Sequence, residues 1–292
     1  MATFSKFLSS FDPDDNNKKG NDFERFVKWF LKHDPEWSKQ VDKVWHLNDY
    51  PDRWGSDLGV DLVFRHRNGD IWAVQAKCYL PENYIKKSDL DSFLSESNRP
   101  QIDKRLLMAS TDLIGANAKK VCAAQEKDVI FYLYSDFDAA KVPYPKSISE
   151  LNKVKRLAPP EPREHQLEAI DAVKKGFKKN DRGQLIMACG TGKTYTTLWI
   201  KEKLRANTTL VLVPSLNLLS QTFREWTFAE KGNSKVLCVC SEETVGKKSG
   251  EDEIVQSVHD LSFGVTSDTK KIADFLKEDG KKIIFSTYQS SP

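Results

Sequence analysis

Asp61, Gln75 and Lys77 offer an acid, an amide and an ammonium within one short stretch, Gly59-VDLVFRHRNGDIWAVQAKCY-Leu80. Val60 to Arg65 is rich in β-branched and apolar residues, Asn68-Gly69 signals a type I′ turn, and Ile71 to Lys77 reads as the returning strand. Side chains alternate along a strand, so Ile71, Ala73, Gln75 and Lys77 share one face while Trp72, Val74 and Ala76 take the other. Hydrolysis of a phosphodiester would use such a group. It needs a divalent cation, Mg²⁺ by preference, to polarise the phosphoryl group, and a neighbour to orient or deprotonate the attacking water. Asp61 would hold the metal, with the Gln75 side-chain oxygen and the Ala76 carbonyl completing its oxygen shell. Lys77 would position the water and offset charge in the transition state. A strand ending in Gln-Ala-Lys is by itself ordinary for an exposed sheet edge, so the reading depends on Asp61 and the hairpin as much as on the triplet.

A second chemistry lies further along. Cys189-Gly190-Thr191-Gly192-Lys193-Thr194 follows the apolar stretch Gln184-Leu185-Ile186-Met187-Ala188, which reads as a short buried strand, and precedes a helix expected from Tyr195 to Ala206. Strand, glycine loop and helix in that order are the context of a Walker A loop. Backbone N–H groups of Gly190, Thr191, Gly192, Lys193 and Thr194 would surround a β-phosphate at a helix N-terminus, where the helix dipole favours anions. Lys193 would reach the β- and γ-phosphates of ATP, and the Thr194 hydroxyl would bind Mg²⁺. Met187 stands at the first position of the motif, where a small residue is usual.

The elements that must carry these groups imply two domains. The chain has 292 residues, more than one average domain, and 39% hydrophobic residues, enough for ordinary cores. Composition changes between Lys141 and Pro162, where Pro143, Pro145, Pro159, Pro160 and Pro162 stand among polar and basic residues. We therefore expect a first domain over residues 1–140, a linker over 141–162 containing a helical turn near Ile148 to Val154, and a second domain over 163–292. A net charge of +3 excludes a polycation, so any nucleic-acid surface must come from local clusters such as Lys86-Lys87, Arg99 and Lys104-Arg105. Five dispersed cysteines without paired CxxC spacing argue against a zinc ribbon or a disulfide framework. Cys238 and Cys240 alternate in Val236 to Cys240, which reads as a buried strand. The N-terminus lacks the apolar core of a signal peptide, and no stretch has the length to span a bilayer, so a cytoplasmic protein without a membrane partner is expected.

On these residues the first domain resembles the Mrr-like branch of the PD-(D/E)xK nucleases, in which Gln replaces the second acid of the motif. Gly20-Asn21-Asp22-Phe23-Glu24, followed by Phe26, Val27, Phe30 and Leu31, is similar to that family's opening helix, whose Glu serves as a further metal ligand. The resemblance thus implies a catalytic and metal-binding role for Glu24 and a mixed sheet flanked by helices. Leu106 to Thr111 and Ala116-Asn117-Ala118 look like the later strand and helix of the same core. The second domain resembles the first RecA-like domain of superfamily 2 helicases, a parallel α/β fold. Pro162-Arg163-Glu164-His165-Gln166 is similar to the Q motif, which implies that Gln166 reads the adenine edge, with Arg163 beside it in the nucleotide site. Thr209 to Thr222 looks like a buried parallel strand and helix of motif Ia, with Ser215 and Gln221 as backbone contacts. Lys282 to Gln289 is similar to the motif Ib region, with Thr287 at a phosphate.

A Mrr-like nuclease followed by such a motor resembles the N-terminal part of single-polypeptide restriction-modification enzymes and type I motor subunits; type III enzymes rank lower because the nuclease lies first here. The resemblance implies Mg²⁺-dependent cleavage of double-stranded DNA, coupled to ATP-driven translocation, in restriction of foreign DNA. It also implies a second copy, or a methyltransferase and specificity module, as partner. No Asp-Glu-x-His box follows Lys282 to Gln289, so the motor domain is expected to be incomplete before its Walker B acid and the chain to be an N-terminal fragment. Two other readings differ in class: a remodelling ATPase whose Mrr-like domain only clamps DNA, and an RNA helicase.

Overall fold

The computed structural model describes residues 2–54, 59–240, 261 and 263–290. They divide into two compact units, residues 1–157 with 259–264 and residues 158–258 with 265–292.

The first unit is built on a five-stranded mixed sheet: β1 (Val41–His46), β2 (Leu62–His66), β3 (Ile71–Lys77), β4 (Lys104–Ala109) and β5 (Val129–Tyr132), adjacent in chain order. The pairs β1–β2 and β2–β3 are antiparallel, whereas β3–β4 and β4–β5 are parallel. Helices α1 (Phe4–Leu8), α2 (Asn16–His33) and α3 (Trp37–Gln40) precede the sheet, α4 (Asp91–Glu96) and α5 (Ala116–Ala123) make the crossovers, and α6 (Tyr134–Ala139) follows β5. Parallel neighbours need such crossovers, which explains why β4 and β5 lie far from β3 in sequence.

Helix α2 starts where the Asp15 carboxylate accepts the Lys18 N–H at 2.9 Å. Phe23, Phe26, Val27, Phe30 and Leu31 repeat at helical spacing and are all fully buried. They pack with Trp72 and Val74 of β3 and with Leu106 and Met108 of β4 on one face of the sheet. The other face carries Val63, Ala73, Leu107 and Ala109 beneath Phe93 and Leu94 of α4 and Ala118 and Cys122 of α5. Each fully buried large apolar side chain contributes roughly 1.5–3 kcal/mol, so the centre of the sheet is its most strongly fixed part.

The hairpin between β2 and β3 forms as expected, but its turn does not. A type I′ turn requires positive φ at both central residues, and here only Gly69, at φ 94°, is positive. Asn68 stays outside that region because its side chain is engaged, its amide nitrogen donating to Asp70 at 3.0 Å and its oxygen accepting the Asp70 N–H at 3.0 Å. The strands are joined by the wider loop of residues 67–70, closed by the His66 N–H donating to the Asp70 carbonyl at 2.8 Å.

The linker expected over 141–162 is shorter in the structure. Val142, Tyr144 and Leu151 are buried in the same core as α2, Ala2 bridges to Tyr144, and the expected turn is a 3-10 helix at Ile148–Lys153. Prolines among polar residues signalled a tether, yet the apolar residues between them anchor the segment.

The second unit holds a three-stranded parallel sheet in the order β6 (Thr208–Val213), β8 (Lys282–Thr287), β7 (Lys235–Val239). Helices α7 (Glu164–Gly176), α8 (Lys193–Leu204), α9 (Leu216–Ala229) and α10 (Thr269–Lys277) accompany it. Two expectations are corrected. Gln184 to Ala188 is not a strand, and Ile186 is 88% exposed; the stretch has strand-like residues but no hydrogen-bonded neighbour among the described residues, and a strand exists only by pairing. Strand β6 is half-exposed rather than buried, with Leu210 and Leu212 open to solvent on one face. The buried strand expected around Cys238 is present as β7, while 241–260 lie outside the described residues.

His66 gives the first unit a pH dependence. Its ring stacks on Trp72 and is buried, which pushes its pKa down to about 4, against smaller opposing effects of Asn68 and Asp70. The folded value lies below the unfolded one, so this contribution is complete above about pH 6.5 and is lost as pH falls toward 4. Urea titrations should show the first unit losing about 2 kcal/mol between pH 7 and 5 through this residue, and His66→Phe should remove that part of the slope.

Candidate active site

The β2–β3 register pairs Leu62 with Val74 and Val63 with Ala73, and one further step sets Asp61 opposite Gln75. The Asp61 N–H donates to the Val74 carbonyl at 3.0 Å, the last backbone bond of that ladder on this side. Beyond it the Asp61 carboxylate takes over: Oδ2 accepts the Ala76 N–H at 2.6 Å. On the other side of β3, the Ser110 N–H donates to the Lys77 carbonyl at 3.0 Å. Carbonyls alternate along a strand, so that of Ala76 points back toward the Asp61 side.

Gln75 is 2% exposed, and its Oε1 is buried without a hydrogen-bond partner among the described residues. Burying an amide oxygen unpaired costs about 1–3 kcal/mol. Lys77, next on the same face, is half-buried, and its ammonium makes no hydrogen bond or ion pair among the described residues. Asp61, Gln75, Ala76 and Lys77 are therefore gathered at one strand end. Glu24 is half-buried on α2, which covers the opposite face of the sheet. The early turns of α2 do approach this end of β3, since the Lys19 charge acts on the Cys78 thiol. Burial outweighs that effect and pushes the thiol up, so Cys78 stays protonated.

Two buried hydroxyls hold this end in place. Ser110 Oγ accepts the Tyr79 N–H and donates to the Tyr79 carbonyl, both at 2.7 Å. Thr111 Oγ1 reaches the Pro81 and Asn83 carbonyls at 3.0 and 3.1 Å and accepts the Leu113 N–H at 3.1 Å. Their positioning role was missed in the sequence, although two consecutive hydroxyls closing the apolar run Leu106 to Ala109 could have signalled it.

Of the basic residues expected on DNA, Arg105 is fully buried. Its guanidinium ties α4 to the sheet through Ser97 Oγ, the Leu94 and Lys127 carbonyls and Asn98, so it is a core residue. Lys104 pairs with Asp128 at 3.2 Å, Arg99 with Glu96 at 3.0 Å and Lys87 with Asp91 at 2.7 Å. Lys86 is exposed.

In the second unit the glycine loop takes the shape its sequence requires. Gly190 and Gly192 have φ of 76° and 80°, and Gly192 caps α8, whose first residues are Lys193 and Thr194. Lys193 Nζ donates back to the Met187 and Ala188 carbonyls at 3.1 and 3.2 Å, and Thr191 Oγ1 to Ala188 at 2.7 Å. Gln166 is buried against this loop. Its Nε2 donates to the Thr191 and Gly192 carbonyls at 3.1 and 3.3 Å, and its Oε1 accepts the Arg163 N–H at 2.9 Å. The residue expected at adenine thus clamps the glycine loop here. Of the motif Ia and Ib residues, Ser215 Oγ caps α9 through the Leu218 N–H at 3.3 Å, and Gln221 bonds Glu225 at 3.0 Å. Thr287 is 1% exposed and bonds Ser290, because β8 is the central strand and is covered; it is not presented to a phosphate.

Residues 32–154 match an Mrr-type catalytic family described as restriction endonuclease, and residues 159–291 match the family described as type III restriction enzyme, res subunit. The chain is a restriction-endonuclease domain followed by a restriction helicase-like domain. Over its whole length this pair is similar to a structure of the ATP-dependent Type ISP restriction-modification enzyme LlaBIII bound to DNA, at 29% identity and a TM-score of 0.81, covering 99% of this chain and 19% of that one. A nuclease-deletion mutant of the Type ISP enzyme LlaGI, in complex with a DNA substrate mimic, matches 45% of this chain and 13% of its own at 35% identity, with a TM-score of 0.36. No curated protein sequence matches. The type III description thus attaches to the helicase-like domain alone, while the likeness of the two domains together is to a Type ISP restriction-modification enzyme. Among the described residues, no helix is long and apolar enough to cross a membrane.

Gly192 is the loop position least able to change. A Cβ there would come within 2.6 Å of Gln166 Nε2 on a backbone already at positive φ. Gly192→Ala should weaken ATP binding by about tenfold or more, for a strain of roughly 1–2 kcal/mol. Isothermal titration with ATP checks this, with the restriction-endonuclease domain keeping its own unfolding transition.

Proposed function

We propose that the first domain is a Mg²⁺-dependent endonuclease acting on double-stranded DNA, and that the helicase-like domain binds ATP and drives translocation along the duplex, together serving restriction of foreign DNA. The observation that carries the nuclease reading is the Gln75 amide oxygen, buried and unpartnered opposite Asp61. Such an atom calls for a partner that the folded chain does not supply. Asp61, across from Gln75 in the strand register, and the Ala76 main chain would supply further oxygens at this strand end. Hard divalent cations take this donor set. Among the described residues no group of three His, Cys, Asp or Glu side chains clusters, which agrees with a site in which one amide and one main-chain oxygen stand in for acids. Glu24, on the helix that reaches the same strand end, is proposed as a further ligand.

A divalent cation bound there would polarise the scissile phosphoryl group and lower the pKa of a coordinated water. The chain's own residues do the rest. Asp61 is held by the Ala76 N–H, so its carboxylate is oriented before anything binds. Among the described residues Lys77 pairs with no anion, so its ammonium is available to orient the nucleophile and offset charge developing on the phosphate. Exposed Lys86 would contribute a phosphate contact without sequence information.

For the helicase-like domain, the Gly190 to Thr194 backbone at the N-terminus of α8 fits a nucleotide phosphate. Lys193 would exchange two neutral carbonyls for the phosphates, Thr194 would bind Mg²⁺, and Gln166, joined to Arg163, would hold the loop in shape for the nucleotide. The LlaBIII structure that this chain resembles is an ATP-dependent enzyme on DNA, which supports the pairing of ATP with DNA.

Cleavage of supercoiled plasmid in Mg²⁺ by the whole protein tests the reading. Lys77→Ala and Asp61→Asn should each lower cleavage by about 100-fold or more while duplex binding changes little. Undiminished nicking in both variants would overturn the assignment and leave the domain as a DNA clamp.

A further inference from the structure

The indole of Trp226, on α9, is buried, and its Nε1–H donates to the Thr194 carbonyl at 2.8 Å. Thr194 is the second residue of α8 and the one whose hydroxyl would meet Mg²⁺. An indole N–H taken out of water is usually paired, so the bond could be mere satisfaction of a donor. This chain argues otherwise. Trp29, Trp37, Trp54, Trp72 and Trp199 all bury their Nε1 atoms without a partner; the fold tolerates orphaned indoles, yet this one is aimed at the phosphate-loop helix. The same carbonyl also accepts Thr197 Oγ1 at 2.9 Å. The Trp226 ring is itself fixed edge-on to Phe285 of the central strand β8, with centroids 5.7 Å apart. Toward the C-terminal end of α8, Lys201 is buried against Glu230 and Ser234, with Nζ at 2.6 and 2.9 Å. Helix α8 is therefore tied to α9 and its C-terminal extension at both ends, and the tie nearer the nucleotide lands on Thr194.

We propose that Trp226 is a positioning residue of the nucleotide site: by holding the Thr194 carbonyl it sets the orientation of the first turn of α8 and so of the Thr194 hydroxyl toward Mg²⁺. The proposal rests on the reading of the Gly190 to Thr194 loop as an ATP site. It assigns Trp226 to the metal half of that site and not to the phosphate half, which Lys193 and the loop N–H groups supply. Loss of the tie should therefore weaken Mg²⁺ more than nucleotide.

The test measures ATP binding by the whole protein, first with Mg²⁺ chelated and then titrated with Mg²⁺ at saturating ATP. Trp226→Phe keeps the ring against Phe285 and deletes only the donor. It should leave metal-free ATP affinity within twofold and raise the Mg²⁺ concentration at half-saturation about fivefold, the equivalent of one ordinary hydrogen bond. Thr197→Val removes the second donor to the same carbonyl from an exposed side chain, and should shift Mg²⁺ in the same direction without risk to folding. An unmoved Mg²⁺ midpoint in both variants overturns the proposal, as does an equal loss of metal-free ATP affinity, which marks a structural role. Lys193→Ala separates the two levels. If the ATP reading holds, that variant loses nucleotide whatever Trp226 does; if the unsubstituted protein and Lys193→Ala both fail to bind ATP, the loop reading falls and the proposal falls with it.

Discussion

The hydrogen bond from the Ala76 N–H to the Asp61 carboxylate, at 2.6 Å, is the interaction on which the proposed metal site of the first domain depends. It lies where the antiparallel ladder between β2 and β3 stops, and a side chain takes the place of the next backbone acceptor. One oxygen of Asp61 is thereby spent on the sheet and the other is fixed in direction. A charged acceptor makes this bond stronger than a neutral one, and its position is dictated by strands whose large apolar residues are buried on both faces. The site is thus set by the most rigid part of the domain, not by a loop.

The opposite side of β3 is held with equal economy. Parallel pairing with β4 continues past the strand into Ser110 and Thr111, whose hydroxyls engage Tyr79, Pro81 and Asn83. These bonds keep the chain after Lys77 from fraying, so Lys77 projects from a fixed backbone. Within that frame, the unpaired Gln75 oxygen is a local cost kept in an otherwise well-packed core. Costs of this kind persist where a bound group offsets them.

Much of this was legible in sequence because it rests on local rules. Alternation along Ile71 to Lys77 correctly placed Gln75 and Lys77 together, helical spacing marked the buried face of α2, and paired glycines marked the tight turn before α8. What failed depends on neighbours distant in sequence. Arg105 looked like a phosphate contact until Leu94, Ser97, Asn98 and Lys127 closed around it. Thr287 looked like a strand-end contact until β8 proved central. Gln184 to Ala188 has the composition of a strand but no pairing neighbour among the described residues, and Tyr144 looked like linker because its packing against Phe4 joins opposite ends of the first unit. Asn68-Gly69 marked the hairpin correctly, but the Asn68 bonds to Asp70 changed the turn.

On the proposed reading, Gln75 keeps its amide for a metal and not for the fold. Thermal unfolding of the protein and of Gln75→Leu, each with chelator and with Mn²⁺ or Mg²⁺, tests this directly. Gln75→Leu should be as stable as the unsubstituted protein or more so in chelator, since an orphaned polar atom is replaced by an apolar side chain of similar size, and the stabilisation by the divalent ion should disappear. A variant that loses several kcal/mol in chelator yet responds undiminished to the ion would contradict it.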